Sequence, residues 1–280
     1  MKLLDKELKI PRLVVAGATS GVGKTSITSA IIYGIKKRGY SVQAFKVGPD
    51  YIDPSYLSAI SGNDTRNLDV WLMGENELVQ SFVKNSTSDI SIIEGVMGYY
   101  DGFGGKTNYA STHHVASLVK SPTILVLDAS KAARSIAATA LGFAKFHHNS
   151  RIVGIILNKI GSKKHENMCK QALASLKVPI LGSILKNSDS MESRHLGLIP
   201  VKEQKSLQNK IRKISREISD SLDIDKILQI CKNVPQLPKV QQKKFKNPTA
   251  TVAVALDSSF NFYYHDNLEA VRRGGAKLKF

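Results

Sequence analysis

The sequence predicts an α/β fold, a mostly parallel sheet flanked by helices on both faces. Three observations carry this. Short, nearly continuous apolar runs recur along residues 12–184. Helical patterns fill the gaps between them. A glycine-rich turn joins the first run to the first helix. Strands covered on both faces show no polar alternation, so such runs separated by helices mean βαβ units.

The runs are 12–17, VQAFKV (42–47), ISIIEG (90–95), TILVLDA (123–129), IVGIILN (152–158) and PILGSI (179–184). A helix is expected from Lys24 to Arg38, stopped by Gly39, because glycine takes the left-handed C-cap conformation without steric cost. Further helices are expected at Pro54–Ile60, Glu75–Val83, Thr112–Val119, Lys131–Phe146 and Lys163–Leu176. In open parallel sheets, ligands bind at the carboxyl ends of the strands. Each candidate motif below follows such an end.

Residues 1–200 are expected to form the first domain. Residues 201–232 read as a basic helical extension of one or two helices, with apolar positions at Ile211, Ile214, Ile218 and Leu222. Residues 233–248, with three prolines and no apolar periodicity, read as a linker. Residues 249–280 begin with TVAVALD (251–257), read as another buried strand, followed by a short helix near Asp266–Arg273. One strand and one helix cannot bury their own faces. Residues 249–280 are therefore expected to be the start of an incomplete second domain.

The chain has 280 residues, 42% apolar and 22% charged, enough for a sizeable core. This composition excludes collagen, coiled coil and wholesale disorder. Two cysteines, Cys169 and Cys231, exclude a disulfide framework and a four-cysteine zinc site. No apolar run reaches the ~18 residues of a membrane span. The charged start, MKLLDKELKIPR, is unlike a secretion signal. The expectation is a soluble cytoplasmic protein. Forty basic and 23 acidic residues give a net charge of +17. The charge is spread along the chain without a nucleic-acid-binding motif, so it fits acidic small ligands better than nucleic acid. Most of the seven histidines, including the pairs His113-His114 and His147-His148, are expected at the surface, and none is assigned a ligand role.

The strongest motif is Gly17-Ala18-Thr19-Ser20-Gly21-Val22-Gly23-Lys24-Thr25. Small residues let backbone N–H groups wrap a phosphate, and the helix N-terminus adds partial positive charge. Lys24 can reach the β- and γ-phosphates, and the Thr25 hydroxyl can ligate Mg²⁺. Gly21, Val22, Gly23, Lys24, Thr25 and Ser26 are the candidate nucleotide-binding residues. The loop is a variant: Ala18 stands where the usual spacing has glycine, and the glycine lies one residue earlier.

Further motifs follow in order: Lys46-Val47-Gly48-Pro49-Asp50-Tyr51-Ile52-Asp53-Pro54, Arg66-Asn67-Leu68-Asp69, Glu94-Gly95-Val96-Met97-Gly98-Tyr99-Tyr100-Asp101-Gly102, Asn158-Lys159-Ile160-Gly161-Ser162 and Arg194-His195-Leu196-Gly197-Leu198. In kind and order they resemble the cobyrinic acid a,c-diamide synthase family over residues 12–200, and again over 251–280. The nickel-sirohydrochlorin a,c-diamide synthases share the pattern. The resemblance implies a P-loop NTPase fold of the dethiobiotin-synthetase type. It implies ATP-dependent amidation of the a and c acetate carboxylates of a tetrapyrrole through a phosphorylated carboxylate. In the family, nitrogen comes from glutamine through a C-terminal glutaminase domain with a cysteine nucleophile. Cys169 and Cys231 lie in helical segments unsuited to that task, so ammonia is the expected nitrogen source here.

Within this resemblance, Asp50 and Glu94 are expected with Thr25 as Mg²⁺ ligands, since hard cations take oxygen donors. Asp53 is expected as a catalytic carboxylate, or as a cap of the helix at Pro54, two roles that are compatible. Lys46 would neutralise charge during phosphoryl transfer. Asp101 is expected to position substrate or choose the reacting carboxylate, or to make a plain Asp-Gly turn. Asn158 is a candidate reader of the base. Gly161 stands where guanine-selecting folds have Asp, which favours ATP. Tyr51, Tyr100 and His195 are candidate substrate contacts. A homodimer is left open. The competing class is a partitioning or regulatory P-loop ATPase acting on a macromolecule; dethiobiotin synthetase is a third reading, disfavoured by chain length.

Overall fold

The computed structural model describes residues 7–186, 205–240, 247–257 and 259–280. His195 and its RHLGL motif lie outside the described residues. Seven strands form one parallel sheet: β1 (Arg12–Gly17), β2 (Val42–Val47), β3 (Arg66–Leu68), β4 (Ile90–Glu94), β5 (Thr123–Asp128), β6 (Ile152–Ile160) and β7 (Ile180–Leu185). Their spatial order is β3-β2-β4-β1-β5-β6-β7. The six expected runs are all strands. The short β3, at the sheet edge, carries the Arg66-Asn67-Leu68-Asp69 motif and no apolar run.

The helices are α1 (Lys24–Lys37), α2 (Ile52–Ser61), α3 (Val70–Met73), α4 (Glu75–Asn85), α5 (Thr112–Leu118), α6 (Ser135–Lys145) and α7 (Lys163–Leu173). Helix α6 starts four residues later than Lys131 suggested. Alternate residues of β1 feed two separate cores. Leu13 and Val15 pack with α1 and α2 on one face; Val14 and Ala16 pack toward α4, α5 and α6 on the other. That is why the strand is apolar from Leu13 to Ala16.

Helices α8 (Lys205–Ser219) and α9 (Ile224–Lys232) are part of this body. Ile211, Ile214, Ile218 and Ile224 are buried against α1. The fit is close at Gly34, where a Cβ atom would meet Ser219 Oγ at 2.5 Å and Ile224 Cδ1 at 2.7 Å. The following stretch, read as linker, is docked as far as residue 240. Leu237 is buried and pairs with Leu8, and the buried Arg12 guanidinium donates to Pro235 O at 2.9 Å and to Val119 O at 2.6 Å.

The last segment differs from expectation. Strand β8 (Ala250–Ala253) is exposed rather than buried, and it pairs in parallel with β9 (Ala276–Lys279) around α10 (His265–Arg273). This unit leans on the main sheet through Arg66 and Lys84, which pair with Glu269, and through the Tyr264 hydroxyl, which donates to Pro49 O at 2.5 Å.

Burial of the α8 face gives a measurable expectation. Ile214→Ala removes a fully buried side chain from a close-packed layer and should cost about 2–5 kcal/mol, read from urea unfolding. A cost under about 0.5 kcal/mol would mean that residues 205–232 do not belong to the folded body.

Candidate active site

Parallel pairing in register brings the site together. Lys46 on β2 lies opposite Glu94 on β4, and Val15 on β1 lies opposite the same Glu94. The carboxyl ends of three adjacent strands therefore meet, and the glycine-rich loop leaves from β1.

The loop turns into α1 at Gly23, whose φ of 91° is left-handed. A Cβ there would also sit 2.4 Å from Asn158 Nδ2. Glycine is thus favoured by the backbone angle, and its missing side chain lets Asn158 approach. Asn158 Nδ2 donates to Val22 O at 2.8 Å, so the strand-end asparagine braces the phosphate loop. Gly21 and Val22 complete the turn, and Ser26 is buried at the start of α1.

Lys24 Nζ donates to Met97 O at 2.6 Å and Thr19 O at 3.3 Å. Met97 holds a left-handed φ of 45°, an uncommon angle for a side-chain-bearing residue. Its loop is pinned by Gly98 N, which donates to Asp101 Oδ2 at 2.8 Å. At Gly98 a Cβ would meet Ala18 O at 2.8 Å. Asp101 therefore closes the turn that presents Met97 to Lys24, and its charge acts on Lys24.

The centre is the Lys46 ammonium, 2% exposed. Its Nζ lies 2.7 Å from Asp53 Oδ2, 2.8 Å from Glu94 Oε1 and 3.4 Å from Asp50 Oδ2. Thr25 Oγ1 donates to the same Glu94 Oε1 at 2.8 Å. One ammonium faces three carboxylates, and the titrations divide accordingly. Burial disfavours charge on Lys46, but Glu94, Asp53 and Asp50 outweigh it and raise its pKa. Burial pushes the Glu94 carboxyl up to about 7, against the pull of Lys46. Burial also raises Asp50, whereas Asp53 is lowered: burial opposes its ionisation, and Lys46 overrides burial. Neighbouring carboxyls pushed in opposite directions suit proton-holding and proton-accepting roles.

Asp53 does not cap the helix; Asp50, one residue before the cap position at Tyr51, holds its first turn instead. Asp50 Oδ1 accepts from Ile52 N at 3.0 Å and from Asp53 N at 3.3 Å. That frees the Asp53 side chain for Lys46.

The residues fit Mg²⁺. Glu94 Oε2 is buried and has no hydrogen-bond partner among the described residues, and the Thr25 hydroxyl adjoins the same carboxylate. Among the described residues no group of three or more His, Cys, Asp or Glu side chains forms a metal cage by itself. Mg²⁺ needs none, because one or two carboxylates with substrate phosphates suffice.

Lys24, Thr25, Lys46, Asp50, Asp53 and Glu94 are thus brought together, with Asp101 and Asn158 bracing the loops around them. Two candidates are engaged elsewhere. The Tyr100 hydroxyl donates to Phe143 O at 2.7 Å, turning the side chain toward α6 instead of the cluster. The Tyr51 hydroxyl donates to Asn261 O of the last segment. Sequence reasoning missed Thr112, whose Oγ1 bonds both backbone polar groups of Val96. It also missed the pair Lys159–Asp128, 2.7 Å apart, beside Gly21. The Asp128 position at the end of a strand run was a usable signal; Thr112 left none.

The family model described as CbiA, the CobQ/CobB/MinD/ParA nucleotide binding domain, matches residues 13–201. The chain belongs to this family. It is 42% identical over 273 residues to the cobyrinate a,c-diamide synthase of Listeria innocua, a match covering 95% of this chain and 60% of that protein. It is 41% identical over 277 residues to the cobyrinate a,c-diamide synthase of Synechococcus sp., with the same coverage of 95% and 60%. The chain thus spans about 60% of the length of these curated relatives. The MinD cell division protein of Aquifex aeolicus aligns at a TM-score of 0.47 and 16% identity, over 75% of this chain and 96% of that one. Among the described residues no helix is long and apolar enough to cross a membrane.

One histidine departs from the surface expectation. His113 is 3% exposed, packed on Tyr99, Tyr100 and His147, with neither ring nitrogen partnered among the described residues. Burial, with the charges of His147, His114 and His148, lowers its pKa from 6.5 to about 4. A folded-state pKa below the unfolded value means stability is full above about pH 6.5 and lost as pH falls toward 4. His113→Leu should flatten the stability profile across that window in urea titrations. An unchanged slope would exclude His113 as its source.

Proposed function

We propose that this chain carries the ATP-dependent amidating site of a cobyrinate a,c-diamide synthase. The observation that carries the reading is the Lys46–Asp50–Asp53–Glu94 cluster against the phosphate loop, in a chain about 40% identical to relatives of that name. A partitioning ATPase has no need of an acidic cluster there.

In this reading, an acetate carboxylate of the tetrapyrrole attacks the γ-phosphorus of ATP, and ADP leaves. The resulting acyl phosphate is attacked at carbon by ammonia, and phosphate leaves to give the carboxamide. Lys24 and Lys46 stabilise charge on the transferring phosphoryl group. Asp53, held ionised by Lys46, takes the proton that ammonia gives up. Asn158 contacts the adenine or keeps the loop in shape for it. Thr25 and Glu94, with Asp50, would hold Mg²⁺, which supplies charge neutralisation at the phosphates.

The two cysteines bear on what these 280 residues can do with glutamine. A glutaminase of the relevant type needs an accessible thiolate. Cys169 and Cys231 are both buried; burial raises both thiols, Cys231 to about 12. Neither can act as that nucleophile.

A polypeptide of these 280 residues should convert cobyrinic acid to its diamide with ATP and ammonium salts, faster as pH rises and more NH₃ is unprotonated. Glutamine should not replace ammonium. Mass spectrometry of the product distinguishes the two, and diamide formed from glutamine by this polypeptide alone would refute the assignment of nitrogen source.

Lys24→Ala should reduce ATP turnover at least about 100-fold, since it removes a charge needed in the transition state. Urea midpoints should stay near wild type. A folded Lys24→Ala protein with near-normal turnover would overturn the phosphate-loop assignment.

A further inference from the structure

The strand order leaves β2 between β3 and β4, and the segments that follow its two neighbours touch. Trp71 lies on α3, just after β3. Phe103 lies on the loop after β4. Their rings stack at 4.5 Å with an interplanar angle of 28°. Tyr109 meets Trp71 edge-on at 6.4 Å. The two flanking segments thereby join beyond the carboxyl end of β2, the end that carries Lys46, Asp50 and Asp53.

This aromatic surface faces solvent. Trp71 is 59% exposed, Leu72 62% and Phe103 62%. A contiguous exposed group of large apolar side chains marks a binding surface more often than chance. It is also preorganised. Asp69 Oδ1 accepts from Leu72 N at 3.1 Å and fixes the turn bearing Trp71. Phe103 N donates to Tyr109 O at 2.8 Å and closes the loop bearing the other two rings. The same loop runs back through Asp101 to Met97, whose carbonyl holds Lys24.

We infer that Trp71 and Phe103 form a platform for the apolar face of the tetrapyrrole ring, so that one peripheral carboxylate reaches the Lys46 cluster. The inference rests on the proposed function and specifies how its substrate is held. A tetrapyrrole polycarboxylate has two surfaces to satisfy, an apolar macrocycle and a charged rim. The Lys46 cluster serves one reacting carboxylate and offers nothing to the ring. The stacked pair offers an apolar surface on segments that follow the strands flanking β2. Lys106, exposed on the Phe103 loop, adds positive charge for the remaining carboxylates. Aromatic side chains offer large apolar faces that pack against apolar ligand surfaces.

The test is a titration of the purified chain with cobyrinic acid, followed by the ligand's own visible absorbance and without ATP, beside steady-state kinetics with ammonium. Trp71→Ala and Phe103→Ala should each weaken cobyrinic acid binding and raise its KM at least about 10-fold, with the KM for ATP unchanged. Trp71→Phe should restore most of the affinity. Both side chains are exposed, so urea midpoints near wild type will show that the variants fold. Equal binding by wild type and both alanine variants would overturn the platform and leave the proposed function standing. No binding of cobyrinic acid by wild type that still binds ATP would overturn both. A change in oligomeric state on light scattering, with cobyrinic acid affinity unaltered, would make the patch an interface between copies of this chain and overturn the inference.

Discussion

The site depends on one buried charge. The Lys46 ammonium stands where β2 ends, with almost no access to water and three carboxylates around it. Removing such a charge from water costs several kcal/mol unless partners replace the solvent. Asp53 and Glu94 do so at hydrogen-bond distance. Each carboxylate in turn is tolerated in the interior because Lys46 is there. The cluster ties the first turn of α2 to the ends of β2 and β4 and holds Glu94 against the Thr25 hydroxyl at the start of α1. Burial is the main reason that Glu94 resists ionisation, with Asp53 adding to it, and the excess of acidic over basic charge around Lys46 suits a divalent cation.

The phosphate loop depends on the same arrangement from the other side. Lys24 is lowered by burial and by Lys46, and is held by the Met97 carbonyl. That carbonyl points inward because the Gly98–Asp101 turn and the Thr112 hydroxyl bind the loop after β4 at two points. Two cationic side chains are thereby kept near each other without a direct partner exchange. In the proposed phosphoryl transfer, such preorganised charges would need no reorganisation as charge develops.

The periphery supports this centre by ordinary packing. Helices α8 and α9 cover α1, the helix that begins at the phosphate loop. Arg12 gathers carbonyls from the end of α5, from Ile10 and from residue 235, so the chain after α9 is sealed to the start of the sheet. Tyr51, next to Asp50, meets the ring of Phe262 from the last segment, so that segment borders the acidic loop.

The sequence alone determined the fold class, because strands buried on both faces are apolar almost throughout and the six runs are, their few polar residues including Lys46 and Glu94. It also determined the phosphate loop and the acidic residues of its neighbours, since those residue types follow strand ends, where open sheets bind ligands. Only the tertiary structure decided how they combine. That Lys46 faces Glu94 is a matter of parallel register between residues 48 positions apart in the chain. That Asp50 holds the first turn of α2 while Asp53 pairs with Lys46 follows from where the helix begins, one or two residues beyond what periodicity resolves. The burial of α8, of Leu237 and of His113 was hidden because a single buried face needs partners that no local pattern names. The contact of Trp71 with Phe103 was hidden for the same reason: it exists because β3 and β4 lie on either side of β2, and strand order is a property of the whole sheet.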